Sequence, residues 1–169
     1  VTYDNLDPDP DESTRTISFK VSDGLAQSNV QSRNVSVTAV NDAPVLADIE
    51  GAGLVYFAGD GAIAITDSLT ISDGDHTKLD SITIQITTNY HTGEDSLGYS
   101  SIYGITGTWY GGSGKLVLAG NKALSTYQTA VRTVIYENLI GTPHTPTRVI
   151  TYKAYDLAAA ESNTQTRSI

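Results

Sequence analysis

Polar and apolar residues alternate along much of the chain with the two-residue period of a β-strand. The clearest case is 81–88, where Ile82, Ile84 and Ile86 fall on one face. Further alternating runs are Ile17/Phe19/Val21, Val35/Val37, Ile63/Ile65, Leu69/Ile71, Leu116/Leu118 and Ile150/Tyr152/Ala154. Glycine, aspartate, asparagine and proline separate these runs, as turns require. The pattern predicts an all-β fold, an antiparallel β-sandwich.

One stretch departs from this alternation. In 122–133, Leu124, Tyr127, Gln128 and Val131 recur at helical spacing, and neither glycine nor proline interrupts them. The spacing predicts one short helix around 122–132, followed by a strand at 134–137. We expect this helix to cap one end of the sandwich core.

An internal repeat divides the chain. Residues 1–33 recur at 134–167 with an offset of 133 residues, which becomes 134 after a one-residue insertion. The matched identities begin at Val1, Tyr3, Asn5 and Leu6, and they continue through Thr14-Arg15, Ile17, Lys20, Asp23, Ser28-Asn29, Gln31 and Arg33. We therefore expect 1–40 to be the C-terminal part of one repeat, 41–44 a linker, and 45–169 a second repeat. That second repeat would lack its last strand, the equivalent of 35–40. Residues 1–40 would pack either on their own chain or on a swapped neighbour.

Composition narrows the function. The formal charge is −9, and the ten lysines and arginines are scattered, which argues against nucleic acid as a partner. No apolar run is long enough to predict a membrane span. The absence of cysteine excludes disulfides and thiolate metal sites, and three scattered histidines argue against zinc. An acidic chain is suited to hard cations, although net charge also serves solubility.

The stretch LTISDGDHTKLDS (69–81) carries the first candidate site. Asp73, Asp75 and Asp80 follow an alternating strand, and two carboxylates separated by one glycine can share a cation. Calcium suits such a cluster because it accepts six to eight oxygens in flexible geometry. An ordinary Asp-Gly turn with solvated charges explains the motif equally well.

The linker supplies further oxygen atoms. Asn41 and Asp42 end a strand-like run just before Pro44, which fixes φ and stiffens the joint. Together they could bind an ion between repeats, or simply form a turn. Asp23 and its repeat equivalent Asp156 also suit a metal or a turn. The pair Glu94-Asp95 is expected to form an exposed acidic loop.

The stretch VTAVNDAPVL (37–46) resembles the linker of bacterial cadherin-like, or Ig-like, tandem repeats in large surface adhesins of the RTX type. Further stretches that look like this family are LTISDGDHTKLDSITIQIT, GEDSLGY, ITGTWYGGSGKLVLAG, YQTAVRTVIYEN and TRVITYKAYD. The resemblance implies a β-sandwich that binds Ca2+ near its junctions, with Asn41, Asp42, Asp73, Asp75 and Asp80 as ligands. The chain departs from animal cadherins at Ala39, where an acid is usual, and at 56–60, where Asp60 would replace a Glu-Asn pair.

A group of aromatic residues lies among glycines in the middle of the chain: Tyr90, Tyr99, Tyr103, Trp109 and Tyr110. Such rings can stack on sugars, and Tyr103, Trp109 and Tyr110 are the candidates for that role. They can equally fill a sandwich core, which is the interpretation we favour. No nucleophile elbow, phosphate-binding loop or metalloprotease motif occurs, so we expect no enzyme activity.

These observations lead to one functional hypothesis and two alternatives. The chain is expected to be a calcium-stabilised extender of a bacterial adhesin, extracellular at the cell surface or secreted, with neighbouring repeats as its partners. The first alternative is a carbohydrate-binding module that uses the 90–110 aromatics. The second is homotypic adhesion between copies of the chain.

Overall fold

The computed structural model describes all residues from Val1 to Ile169. It divides into two compact units, which we call unit 1 (Val1–Asn41) and unit 2 (Asp42–Ile169). Unit 1 is one antiparallel hairpin of strands β1 (Arg15–Phe19) and β2 (Gln31–Val35). The division between the units falls within 41–44, the segment expected to be a linker.

Unit 2 contains ten strands and one helix. In chain order they are β3 (Val45–Ala47), β4 (Ile63–Ala64), β5 (Thr70–Ser72), β6 (Lys78–Thr88), β7 (Asp95–Gly98), β8 (Thr106–Tyr110), β9 (Lys115–Ala123), α1 (Leu124–Val131), β10 (Ile135–Asn138), β11 (Val149–Tyr155) and β12 (Gln165–Ser168). A five-stranded sheet has the order β12-β11-β6-β9-β8, a three-stranded sheet has the order β4-β10-β7, and β3 pairs with β5. All pairings are antiparallel, which confirms the all-β prediction.

The core of unit 2 forms where the predicted alternation placed it. Ile82, Ile84 and Ile86 of β6 are buried and lie beside Ile150, Tyr152 and Ala154 of β11. Leu97 of β7 and Tyr136 of β10 belong to the same buried cluster, so both larger sheets contribute to one core. Strand β11, and β6 from Ile82 to Ile86, bury every second side chain because successive side chains point to opposite faces.

The helix is confirmed, and its position has a physical cause. α1 buries Tyr127, Ala130 and Val131, and the Tyr127 hydroxyl lies 2.6 Å from the carbonyl oxygen of Asp80 and 2.7 Å from that of Gly120. The register of β6 and β9 shifts between Leu79 and Ser81, so Asp80 lies at an irregularity in the pairing. The tyrosine therefore supplies a hydrogen-bond partner where the strand ladder is disrupted.

Replacing Tyr127 with phenylalanine tests this role. The variant keeps the ring in the core but removes the hydroxyl shared by two carbonyl groups, so we expect a loss of about 1–3 kcal/mol in the free energy of unfolding. Urea denaturation checks it, with Tyr110→Phe as the control because the Tyr110 side chain is exposed. Equal stability of the two variants would contradict the bridging role.

One predicted strand is wrong, and some strands of the structure were not predicted. The strand expected at 35–40 is wrong, because β2 ends at Val35 and residues 36–40 form no strand. Val35 pairs with Arg15, the first residue of β1, so residues beyond it have no neighbouring strand. Strands β7, β8 and β12 had no predicted counterpart, since none of them shows a clear alternation of apolar residues.

No helix in the chain has the length and apolar character needed to cross a membrane.

Candidate functional site

A cluster of acidic residues forms at one end of unit 2. We call it the Asp73 cluster, and its members are Asp73, Asp75, His76 and Asp156. Asp73 and Asp75 lie in the turn between β5 and β6, whereas Asp156 follows the last residue of β11. Ligand atoms of Asp73, His76 and Asp156 lie within 4.8 Å of one another. The fold thus adds Asp156, a residue 83 positions beyond Asp73 in the sequence, to the predicted Asp73-Asp75 pair.

Local hydrogen bonds hold the members of this cluster in place. Oδ1 of Asp73 accepts the backbone N–H groups of Asp75 and His76, at 3.2 and 3.0 Å. The ring Nδ1 of His76 lies 3.0 Å from Oδ1 of Asp75, and the backbone N–H of Asp42 donates to the other oxygen of Asp75 at 3.1 Å. Oδ2 of Asp73 remains buried without a hydrogen-bond partner. An unpaired buried carboxylate oxygen is costly unless a proton or a cation neutralises it.

The pKa values in the cluster reflect burial and the closeness of the Asp73 and Asp75 carboxylates. Burial, together with the neighbouring Asp75, raises the pKa of Asp73. Burial also acts to raise the pKa of Asp75, but the interaction with the Asp73 side chain and hydrogen bonds from the Asp42 backbone and His76 outweigh it, so this pKa is lowered. The hydrogen bond with Asp75 raises the pKa of His76. The pKa values of Asp73 and Asp75 shift in opposite directions, as expected of two close carboxylates that do not titrate independently.

The dimensions of the cluster fit a calcium ion. Calcium binds oxygen at 2.3–2.6 Å, so two ligands of one ion are at most about 5 Å apart. The ligand atoms of Asp73, His76 and Asp156, which lie within 4.8 Å of one another, meet this condition. Carboxylate oxygens of Asp73 and Asp156 would be ligands of such an ion, while Asp75 contacts the His76 ring at 3.0 Å in the same turn.

The other predicted ligands lie in different surroundings. Asp80 is exposed within β6, and its backbone oxygen accepts the Tyr127 hydroxyl. Asp60 accepts the backbone N–H of Phe57 in a turn. Asp23, in unit 1, accepts the N–H groups of Leu25 and Ala26, at 2.9 and 2.8 Å.

Asp156 shows how a turn residue can also belong to a site. Like Asp23, its repeat equivalent, Asp156 uses Oδ1 to accept two backbone N–H groups, those of Ala158 and Ala160. Unlike the exposed Asp23, Asp156 is only 1% exposed. Sequence analysis left its role open between a metal and a turn, and its burial beside Asp73 is the signal that only the fold supplies.

A second group of charged and polar side chains is buried in unit 2. We call it the buried charge network: Glu94, Asp95, Tyr136, Asn138 and Arg148. Nε of Arg148 donates to Oδ1 of Asp95 at 3.0 Å, and its Nη2 donates to Oε1 of Glu94 at 2.6 Å. The Tyr136 hydroxyl donates to Asp95 at 2.7 Å, and the Asn138 amide donates to both carboxylates. The pairing of β7 with β10 places Asn138 opposite Asp95 and brings these groups together.

The expected exposed acidic loop at Glu94-Asp95 is therefore wrong. Glu94 is 3% exposed and Asp95 is 2% exposed. Acidic residues after a glycine usually lie in solvent, but here the guanidinium of Arg148 neutralises them inside the protein. The missed signal was the repeat itself, because Tyr136, Asn138 and Arg148 recur as Tyr3, Asn5 and Arg15.

The network also brings together two of the three scattered histidines. The rings of His91 and His144 stack with centroids 3.9 Å apart, and Nδ1 of His144 lies 2.7 Å from Oε2 of Glu94. Ligand atoms of these three residues lie within 4.8 Å of one another. The guanidinium of Arg148 already neutralises Glu94 and would repel a second cation, so we assign these contacts to the network.

Lowering the pH should decrease the stability of unit 2, because Glu94 becomes protonated. Burial alone would raise the pKa of Glu94, but hydrogen bonds from His144 and Asn138 outweigh it and lower the pKa to about 2, from an ordinary value of 4.5. A carboxyl with a lowered pKa stabilises the fold above its unfolded value, and this contribution disappears as the pH falls. We expect stability to drop between about pH 4.5 and 2, by on the order of 3 kcal/mol for this group.

Denaturant unfolding at a series of pH values checks this prediction. Glu94→Gln should flatten the acid dependence, because the amide no longer titrates. Glu161→Gln is the matched control, since Glu161 is exposed and pairs with Lys153 at the surface. An acid dependence that persists unchanged in Glu94→Gln would assign the effect to other groups.

The candidate sugar-binding aromatics do not form one surface. Tyr103 and Tyr110 are exposed, whereas Trp109 is partly buried and packs against the core. The ring of Trp109 meets that of Tyr90 edge to face, with centroids 6.3 Å apart and an interplanar angle of 80°. This geometry is typical of aromatic packing between neighbouring segments.

Comparison with known proteins gives one similarity over part of the chain. A stretch of 86 residues, 48% of the chain, is 35% identical to the protein named Halomucin from Haloquadratum walsbyi (strain DSM 16790 / HBSQ001). The matched stretch is 1% of the length of that relative. No family model matches the chain, and no solved structure matches it.

Proposed function

We propose that the chain is a calcium-stabilised structural repeat of an extracellular adhesin at a bacterial cell surface, without enzyme activity. The observation that carries the proposal is the Asp73 cluster, in which ligand atoms of Asp73, His76 and Asp156 converge and one buried oxygen of Asp73 has no partner. The cluster lies next to the start of unit 2, because the backbone of Asp42 donates to Asp75.

The repeated architecture supports a structural role. The hairpin of unit 1 and the last strands of unit 2 share sequence and pairing, as expected of tandem modules. The relative named Halomucin is about a hundred times longer than the stretch that matches it, and such length suits a chain of many modules. The resemblance to cadherin-like adhesin repeats supplies the adhesin context.

Calcium would act through the charges of the cluster. In its absence, the carboxylates of Asp73 and Asp75 repel one another, so the turn between β5 and β6 carries an electrostatic cost. A calcium ion would offset this repulsion and join the turn to Asp156 at the end of β11. The ion would thereby stiffen the end of unit 2 where the linker begins, and an extender requires that rigidity.

Isothermal titration of the whole chain with CaCl2 tests the proposal. We expect calcium to bind, with protons released on binding in acidic buffer because the pKa of Asp73 is raised above that of an ordinary aspartate. Magnesium is the matched control ion, since it prefers a smaller and more regular octahedral site. No heat from calcium at millimolar concentration, or equal binding in Asp73→Asn, would contradict the proposed site.

A further inference from the structure

The hairpin of unit 1 carries half of the buried charge network. By the repeat alignment, Tyr3, Asn5 and Arg15 are the equivalents of Tyr136, Asn138 and Arg148. The carboxylates that these three side chains hold in unit 2, Glu94 and Asp95, have no equivalent in residues 1–41, which correspond to 134 onwards. In unit 1, Arg15 instead donates to the backbone oxygens of Asp11 and Ser13.

The two hairpins have the same backbone register, so this comparison is structural as well as sequential. Arg15 pairs with Val35 in unit 1. Their equivalents in unit 2, Arg148 and Ile169, exchange backbone hydrogen bonds of 2.8 and 2.9 Å. The strand β1 is therefore the counterpart of the start of β11.

One strand edge and one face of this hairpin are exposed in unit 1, whereas their equivalents in unit 2 are paired and buried. In unit 2 the second edge of β11 pairs with β6, whereas β1 pairs only with β2. Phe19 is 42% exposed, but its equivalent Tyr152 is fully buried. Tyr3 is 42% exposed, but its equivalent Tyr136 is 2% exposed. Unit 1 thus presents an unpaired strand edge beside apolar side chains and an arginine without a carboxylate.

We propose that this surface of unit 1 binds the N-terminal half of another repeat of the same type. The bound segment would supply an alternating strand equivalent to β6 and a Gly-Glu-Asp sequence equivalent to 93–95. The strand would pair with the free edge of β1, and the two acids would complete the network with Tyr3, Asn5 and Arg15. In unit 2 the acidic segment precedes its arginine in the same polypeptide, so we assign the segment to the polypeptide that carries unit 1. The inference rests on the tandem-repeat part of the proposed function and not on calcium.

A chain with an added donor tests the inference. A second copy of residues 42–133 is joined directly before Val1, which reproduces the natural junction of 133 with 134. Hydrogen exchange of the β1 amides is then compared between the 169-residue chain and this longer chain. We expect exchange to slow by about 100-fold or more when the donor is present, because β1 becomes an internal strand.

Variants separate the proposed contact from general stabilisation. Arg15→Ala should change exchange in the 169-residue chain far less than in the longer chain, where it should restore fast exchange of β1. Neutralising both acids in the added copy, Glu94→Gln with Asp95→Asn, should have the same effect, while the original unit 2 keeps its protection as an internal control. These results do not depend on added calcium, so they hold even if calcium fails to bind.

Two outcomes would overturn the inference. The first is equal exchange of the β1 amides with and without the added donor. The second is protection of β1 in the 169-residue chain that rises with protein concentration, together with a dimer in sedimentation. That result would assign the surface to a second copy of the chain.

Discussion

Replacing Arg148 with alanine is expected to destabilise unit 2 by about 3–5 kcal/mol, among the largest effects of a single substitution in this chain. The guanidinium is the only cationic group that contacts both Glu94 and Asp95 in the buried charge network. Without it, two carboxylates would remain buried at a few per cent exposure, with hydrogen bonds from Tyr136, Asn138, His144 and the His91 backbone but no guanidinium. Chemical denaturation followed by circular dichroism measures the loss.

The repeat supplies the matched control. Arg15→Ala changes the equivalent residue in unit 1, where the guanidinium contacts only backbone oxygens of Asp11 and Ser13. We expect this variant to cost less than about 1 kcal/mol. The triple variant Glu94→Gln, Asp95→Asn, Arg148→Met should recover part of the loss, because it removes the uncompensated charges as well. Similar costs for Arg148→Ala and Arg15→Ala would contradict the account of the network.

The strands and the helix follow from local patterns, which is why they could be predicted. Burial of every second residue in β6 and β11 is a property of the alternation itself. The helix follows from Leu124, Tyr127 and Val131, whose spacing places them on one face. The strand expected at 35–40 failed because alternation does not show where a neighbouring strand ends.

The candidate site was only partly predictable, for the same reason. Asp73 and Asp75 are two residues apart, so their proximity follows from the sequence. Asp156 joins them only because β11 ends beside the turn that precedes β6. Likewise, Arg148 lies 54 residues after Glu94, and composition alone gave no reason to pair them. The recurrence of Tyr-x-Asn and Thr-Arg in both repeats marked these residues as structurally linked, although it did not identify their acidic partners.

Replacing Asp73 with asparagine should have opposite effects with and without calcium. Without the ion, Asp73 is half-buried beside Asp75 and its pKa is raised, so a neutral amide should leave unit 2 equally stable or slightly more stable. With the ion, the variant should lose a ligand and most of the calcium-dependent stabilisation. That stabilisation is about 2.7 kcal/mol when free calcium is 100-fold above its dissociation constant.

The control for this variant is Asp67→Asn, which changes an exposed aspartate of unit 2 outside the Asp73 cluster. Its response to calcium should equal that of the unmodified chain. Asp156→Asn should reduce the response as Asp73→Asn does, because Asp156 belongs to the cluster. A variant that loses stability equally in calcium and in chelator would show a structural role without a metal.

Thermal unfolding of the chain in excess calcium and in EDTA tests the central claim most directly, with Asp73→Asn measured in parallel. Calcium-dependent stabilisation predicts that the melting temperature of unit 2 rises by roughly 10 °C in calcium for the unmodified chain, and hardly at all for the variant. Melting curves of the unmodified chain that coincide in calcium and in EDTA would contradict calcium stabilisation.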